Sequence, residues 1–540
     1  VRRGEFAGLA VAPDGVATVA TGEGEFGVSL AEVALAEEAV RPRWVVWSQE
    51  TAARLAGSGT RLATCWDVAA VHRLLFGGWR AEPEVAWACL HGVPADKVLA
   101  RTAVPDLISP DLSSAAGEFW PAGEFGAARA VQAARLQAGL LAEQGGGIRV
   151  STARSESTAE LLCAELASGG LPVDRGAAER LLGELIGPRP RGPADAAAIR
   201  AARDERVLRH APGAAGTDLR SPVQVKTLLA AAGIDVPDTR AWRLEAHKDR
   251  SPLVAALLEW RKAERIATTY GYAWLDEHLG ADGRLRGAWT GSDGAAGRMT
   301  ASAGLHNMPA VLRQAVLAAD GHLFVRADLG QIEPRVLAAV SGDTALAAAT
   351  LADDMYLPVA GELGVDRPTA KVAMIAAMYG QTTGHGGNAG RRMRAAYPVA
   401  MGYLDAADRS ARAGQDLRTY GGRLVRMSDG GDAARTAEQT AARTAARGRY
   451  GRNALIQGAA AELFKMWAVT VRARAVALDA AIVLCLHDEL LVHVPQDRAG
   501  QAAELVRDCL TEATRRWAPG GRTRFVADIS VVRCWADAKA

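Results

Sequence analysis

Asp328 and Asp488 are the two carboxylates whose surroundings suggest chemistry. Asp328 closes the apolar run GHLFVRADLG (321–330), and Asp488 lies within AIVLCLHDELLVHV (481–494), between two apolar runs. A strand ending at a carboxylate holds that group on a rigid frame. The second segment reads as a hairpin with His487, Asp488 and Glu489 at its turn, because a buried strand could not solvate three successive ionisable groups. Hard oxygen donors suit Mg²⁺, which keeps few protein ligands where substrate phosphates complete its shell. On adjoining strands the pair could bridge two Mg²⁺ ions about 3.5–4 Å apart, one activating a hydroxyl and the other steadying a leaving pyrophosphate. Taken singly, Asp328 also fits a cap or turn and the HDE triplet a polar hairpin turn.

Between them lies DRPTAKVAMIAAMYG (366–380), in which Arg367, Lys371, Ile375 and Tyr379 recur every fourth residue. On a helix these form one slowly drifting face. Pro368 fits the first turn and Gly380 can end the helix. Arg367 and Lys371 then offer a guanidinium fork and a mobile ammonium to a triphosphate, and Ile375 and Tyr379 offer apolar surface to a base. By itself the segment equally fits an amphipathic helix with a basic edge. A third segment, RYGRNALIQGAAAELFKMW (449–467), predicts a helix beginning near Asn453. The four-residue spacing of Arg449, Asn453 and Gln457 suits a polar row facing a nucleic-acid groove, or an exposed helix face.

The chain that must position these groups has 540 residues, enough for roughly three or four units. With 49% apolar and 23% charged residues it reads as globular, not disordered or fibrous. The formal net charge is only +2, so any nucleic-acid site must come from local clusters such as Arg391, Arg392 and Arg394, or Arg443, Arg447, Arg449 and Arg452. Six scattered cysteines without a CxxC pair favour reduced thiols over a zinc site or disulfide scaffold. No long uncharged apolar run or leader-like amino terminus is present, which predicts a soluble cytoplasmic protein with no membrane partner.

Residues 1 to about 140 suggest a small mixed α/β domain. Helices are expected from about 155 to 205, with PRPRGPADAAA as a surface connection. SPVQVKTLLAAAG and SPLVAALLEWRKAERIATTYGYAW follow, the first with a serine cap and a proline in its first turn.

Together these segments resemble the family A DNA polymerases of the bacterial DNA polymerase I type, in particular the shorter actinobacterial members described as bifunctional 3′-5′ exonuclease and polymerase. DLGQIEPR (328–335) is similar to the first acidic palm motif, and HDE (487–489) to the second. Arg367, Lys371, Tyr379 and Gly380 match the pattern of the fingers helix, with Ile375 where an aromatic residue is usual. GRMT (297–300), LHNMP (305–309) and EWRKAERIATTY (259–270) add weaker agreement. The resemblance covers about 215–540 and implies an α/β, multi-domain right hand of palm, fingers and thumb behind a small exonuclease-like domain. The corresponding division is 1–145 exonuclease-like, 146–275 thumb and connecting helices, 276–345 and 446–540 palm, and 346–445 fingers.

The resemblance further implies template-directed extension of a primer 3′-hydroxyl with dNTPs by a monomer bound to primer-template DNA, nucleoid-associated when so bound. Asp328, the Leu329 carbonyl and Asp488 would hold two Mg²⁺ ions, for which Mn²⁺ can substitute, with Glu489 an accessory acid. Arg367, Lys371, Ile375, Tyr379, Gln331 and Tyr356 would form the nucleotide site. Glu333 would close it against a 2′-hydroxyl, and Lys371 would protonate the departing pyrophosphate. Arg298, His306, Asn307, Arg313, Arg449, Asn453, Gln457 and His487 would contact DNA. The amino-terminal domain reads as a degenerate exonuclease, ahead of an unrelated structural domain or an intact proofreading nuclease: its nearest Asp-x-Glu-like pair is Glu23-x-Glu25, and Asp67, Asp96 and Asp106 lack a persuasive setting. CWDVAAVH (65–72) looks instead like a helix start with Asp67 at its positive end.

Overall fold

The computed structural model describes residues 1–98, 125–293, 296–380, 385–427 and 436–539; Asp106 lies outside them. They divide into two compact units: Val1–Gly170, Ala288–Ala301 and Asp320–Val532 form the first, and Leu171–Gly287, Ser302–Ala319 and Arg533–Ala540 the second.

The first unit begins with the strands β1 (Phe6–Val11), β2 (Ala17–Thr21), β3 (Gly24–Val28), β4 (Arg43–Val46) and β5 (Cys65–Asp67). They form one sheet in the order β3-β2-β1-β4-β5, with β1 parallel to β4, β4 parallel to β5 and the hairpin strands antiparallel. Alternation along the strands sends Ala7, Leu9, Trp44, Val46 and Cys65 into one core and Phe6, Val45 and Trp66 into the other. The second of these cores is covered by α1 (Val68–Phe76) and α2 (Ala127–Glu143); α3 (Ile148–Gly169) contributes Leu161 and Ala164 to the first. Asp67 caps α1, its carboxylate accepting from the Ala70 N–H at 2.8 Å, as the sequence suggests.

The rest of this unit is built on β6 (His322–Leu329). Behind it come α4 (Ile332–Ser341), α5 (Tyr356–Leu363), α6 (Arg367–Met378), α7 (His385–Ala396), α8 (Pro398–Arg412), α9 (Ala437–Ala475), β7 (Ala481–Leu486), β8 (Glu489–Pro495), α10 (Ala499–Trp517) and β9 (Ala527–Val532). The antiparallel sheet has the order β7-β8-β6-β9, so β6 is central. Its back is closed by α10, whose Trp517 is fully buried, and by α9, whose Trp467 indole donates to the Val506 carbonyl at 3.0 Å.

Two expected boundaries are corrected. The helix expected from Asn453 starts at Ala437, where Thr436 and Gln439 form a capping box, and runs for 39 residues. The PADAAA segment expected as a connection is the first turns of a helix, Pro193–Leu208, because proline at the first helical position costs no hydrogen bond. That helix belongs to the second unit, with Pro222–Ala231 and Pro252–Thr269, whose N-caps are Ser221 and Ser251. Val207, Val225, Leu228, Leu229, Leu253 and Leu257 share its core. All six cysteines carry free thiols. Among the described residues no helix is long and apolar enough to cross a membrane.

Candidate active site

The hairpin of β7 and β8 turns on His487 and Asp488, with His487 in the left-handed region at φ +54. The turn lies beside the end of β6: the Leu329 N–H donates to the Asp488 carbonyl at 3.0 Å. Asp328, near the end of β6, and Asp488, in the turn beside it, are therefore neighbours although far apart in sequence. Asp328 also stands directly opposite Glu489 on β8 and Asp528 on β9. Gly330 fits the tight exit from β6, where its N–H donates to the Val526 carbonyl at 2.9 Å and an added Cβ would meet the Val526 side chain at 3.0 Å.

Glu489 is not part of the turn. It is the first residue of β8 and is buried, which is possible because the buried Arg326 guanidinium donates to it at 3.0 Å. The same guanidinium binds the Asp328 carboxylate, and it donates to Asp528 at 3.0 Å. Sequence reasoning missed both Arg326 and Asp528. An arginine inside an apolar strand, two residues before an aspartate and so on the same face, was the available signal.

The carboxylates press on one another. Burial, then the negative charges of Asp328, Glu333 and Glu489, pushes Asp488 up to about 6. A dication would relieve this excess, and two aspartates beside a main-chain carbonyl form the sparse oxygen set that Mg²⁺ accepts. Among the described residues no group of three or more His, Cys, Asp or Glu side chains is gathered as a metal cage.

Beyond β6, α4 carries Glu333 into the same site. Its carboxylate accepts from the Arg298 guanidinium at 3.0 Å and from the Tyr379 hydroxyl at 3.2 Å. Tyr379 is the residue that ends α6, and Gln457 of α9 also hydrogen-bonds it. Burial, followed by the Glu333 charge, raises the Tyr379 phenol. On α6, Asp366 caps the first turn; Ala370, Ala373, Met374 and Ala377 are buried, while Arg367 and Lys371 are exposed and Ile375 and Tyr379 half-buried. The expected face is thus real, with its basic end in solvent and its aromatic end against Glu333. Arg367 pairs with Asp354 and stacks over the ring of Tyr356, which is itself buried.

Several candidates have other tasks. Gln331 takes a left-handed conformation at φ +48, and its amide oxygen accepts from Arg335 at 3.1 Å and from the Met355 N–H at 3.3 Å. Fully buried Arg335 also donates to the carbonyls of Gly330, Thr350, Ala352, Asp353 and Arg524 at 2.6–3.0 Å. Burial, then Arg524, brings its guanidinium down to about 10. Arg452 is withdrawn from the expected basic cluster: it is buried, donating to Asp405 at 2.8 Å and to the Ala377 carbonyl at 2.7 Å. Arg394 pairs with Asp405 at 2.8 Å, whereas Arg449 stays exposed, with Asn453 and Gln457 half-buried along the same helix. His306 and Asn307 form a short turn in the second unit, where Arg313 lies over the Trp535 ring at 4.3 Å.

Residues 200–537 match the model of DNA polymerase family A. The chain belongs to that family. DNA polymerase I of Chloroflexus aurantiacus is 31% identical over 302 residues, covering 50% of this chain and 31% of that protein. The thermostable DNA polymerase I of Thermus filiformis is 28% identical over 324 residues, covering 55% of this chain and 38% of that protein. The chain thus spans about a third of the length of these relatives. The POL domain of Pol1 from M. smegmatis, solved in complex with DNA primer-template and dNTP, matches with a TM-score of 0.71 at 20% identity, over 99% of this chain and 97% of that one. At that identity the likeness is one of fold: the multi-domain α/β palm, fingers and thumb of the polymerase family.

Proposed function

We propose that the chain is a template-directed DNA polymerase that extends a primer 3′-hydroxyl with dNTPs by two-metal nucleotidyl transfer and releases pyrophosphate. The observation that supports this reading is the Leu329 to Asp488 hydrogen bond, which sets the backbones of Asp328 and Asp488 close together, with Tyr379, the last of the Arg367, Lys371, Ile375 and Tyr379 row, bonded to Glu333. A nuclease using the same aspartates would leave that basic face without a triphosphate to bind.

Asp328, Asp488 and the Leu329 carbonyl would hold Mg²⁺, which when bound supplies an activated hydroxyl and charge neutralisation at the phosphates. The primer oxygen forms a bond to the α-phosphorus as the bond to the bridging oxygen breaks. Lys371, exposed on α6, would give its proton to the departing pyrophosphate. Arg367 grips phosphate oxygens after leaving Asp354, and Tyr379 with Glu333 packs against the sugar. Arg298, Arg449, Asn453 and Gln457 are assigned to DNA contacts in this reading, as are His306, Asn307 and Arg313. His487 is assigned to the primer terminus. The fingers are assigned to 346–445, with palm on either side at 276–345 and 446–540.

The amino-terminal domain is read as a support without nuclease activity. Strand β1 carries no acidic residue, and α2 packs on the sheet with Gln137 bonded to the Trp66 indole at 2.8 Å. Asp67 is committed to its cap, and burial followed by the Glu160 charge raises its carboxyl well above the carboxylate range. Glu25 accepts from the Ala128 N–H at 2.7 Å.

Primer extension with dNTPs and Mg²⁺, run beside a nucleotide-free lane, tests both readings. Wild type should extend, Asp328→Ala and Asp488→Ala should bind primer-template but not extend, and the nucleotide-free lane should show no trimming of a mismatched primer. Absence of extension by wild type would defeat the polymerase assignment. Metal-dependent trimming that survives both palm substitutions would defeat the support role.

A further inference from the structure

The strand register sets three carboxylates in a row, Glu489, Asp328 and Asp528, each directly opposite its neighbour. Like charges so placed repel across a separation of about 5 Å. Arg326 lies one pleat back on the same face. Its terminal nitrogens reach all three carboxylates, Nη2 donating to Asp328 Oδ2 and Glu489 Oε2 and Nη1 donating to Asp528 Oδ2. The row opens outward from that guanidinium: side-chain exposure is 1% for Arg326, 4% for Glu489, 24% for Asp328 and 76% for Asp528.

We propose that Arg326 is a positioning residue for Asp328 and a resident counter-charge that keeps divalent-metal affinity of the palm low until a triphosphate arrives. This rests on the reading of Asp328 and Asp488 as the metal-binding pair. The planar fork fixes the Asp328 carboxylate through one oxygen, a directional constraint that a freely rotating ammonium on a flexible stem would not reproduce. Its permanent charge offsets one of the three negative charges in the row. Glu489 is consumed in that exchange: buried and bonded to Arg326, it serves as the guanidinium's anchor.

The test is Mn²⁺ binding to the full chain without nucleotide, followed by calorimetry or by the spin resonance of free Mn²⁺, beside primer-extension kinetics and a melting curve for each variant. Asp328→Asn and Asp488→Asn are controls for the metal-site reading, and each should lose binding. If both bind as wild type does, that reading fails whatever Arg326 does.

With the controls behaving as expected, Arg326→Gln should bind Mn²⁺ at least about tenfold more tightly while kcat falls, because one positive charge has left the row and Asp328 has lost its clamp. Damage to the fold alone would loosen the metal. Arg326→Lys keeps the charge without the fork, so Mn²⁺ affinity should stay within about threefold and kcat should drop about tenfold. The pair Arg326→Gln with Glu489→Gln removes one charge of each sign and should return affinity to within about threefold of wild type. Unchanged or weaker Mn²⁺ binding by Arg326→Gln overturns the counter-charge, as does a double variant that binds about tenfold more tightly. An unaltered kcat in Arg326→Lys overturns the positioning role. Should Arg326→Gln fail to fold, the other two variants decide both points.

Discussion

Replacing Lys465 with Met should destabilise the first unit by about 3–5 kcal/mol, the cost of breaking a buried ion pair on one side. Lys465, in the middle of α9, is fully buried, with its ammonium 2.5 Å from Glu156 of α3 and 3.1 Å from the Gly291 carbonyl. Glu156 also binds Arg423, which donates to the Ser292 hydroxyl at 3.0 Å, and the Gly291 N–H donates to Glu160 at 3.2 Å. Methionine keeps most of the volume but leaves Glu156 with one cation instead of two and the Gly291 carbonyl without its ammonium. Pairing Lys465→Met with Glu156→Gln should cost less than the two single substitutions summed, because both remove the same Lys465–Glu156 contact, while Arg423 loses its carboxylate in either background that carries Glu156→Gln. Urea unfolding followed by tryptophan fluorescence reads this directly. For a slope near 3 kcal/mol/M the single substitution moves the midpoint down by about 1 M. A shift below about 0.3 M, or strictly additive effects in the double variant, would refute the account of this cluster as a mutually dependent ion network.

Lys371→Ala should lower kcat for extension by at least about tenfold if it supplies the leaving-group proton; single-turnover extension rates check this, and an unchanged rate removes it from the reaction. Glu333→Ala should admit ribonucleotides, measured as the ratio of kcat/KM for dNTP and rNTP, since the carboxylate shared by Arg298 and Tyr379 is then gone. Burial, then the charges of Arg73 and Arg426, holds His72 down to about 4 from an ordinary 6.5. Its folded form therefore resists a proton that the unfolded chain accepts. The associated stability is fully present above pH 6.5 and is lost as pH falls toward 4, to a limit of about 3 kcal/mol. His72→Leu should flatten stability against pH across that window, as read from urea midpoints.

Much of the site was legible because it depends on local rules. The apolar runs around Asp328 and Asp488 announced strands, and the proline and glycine bounding 368–380 marked the ends of α6. What escaped depends on partners distant in sequence. Glu489 looked like a turn residue because burial of a carboxylate is costly, and the cost is removed only by Arg326 on another strand. Arg452 belonged to an apparently solvated basic run until Asp405 and the Ala377 carbonyl took its donors. The start of α9 was placed late because its first turns are alanines among polar and charged residues, without an apolar stripe until packing begins near Gly448. The register that sets Asp528 beside Asp328 depends on how strands separated by 200 residues align.

Arg335 holds the stretch beside the site by its main chain. Its donors read the carbonyls of residues 350, 352, 353 and 524, and a carbonyl is the same whatever side chain accompanies it. Apart from Thr350, whose hydroxyl accepts from the Arg524 N–H, and Asp353, whose exposed carboxylate pairs with the Arg524 guanidinium at 2.7 Å, this stretch is therefore free to drift in sequence while keeping its path. A library randomised at 351 and 352 should be permissive and one randomised at 335 nearly silent, so tolerance to change here would be a poor guide to how firmly the backbone is held.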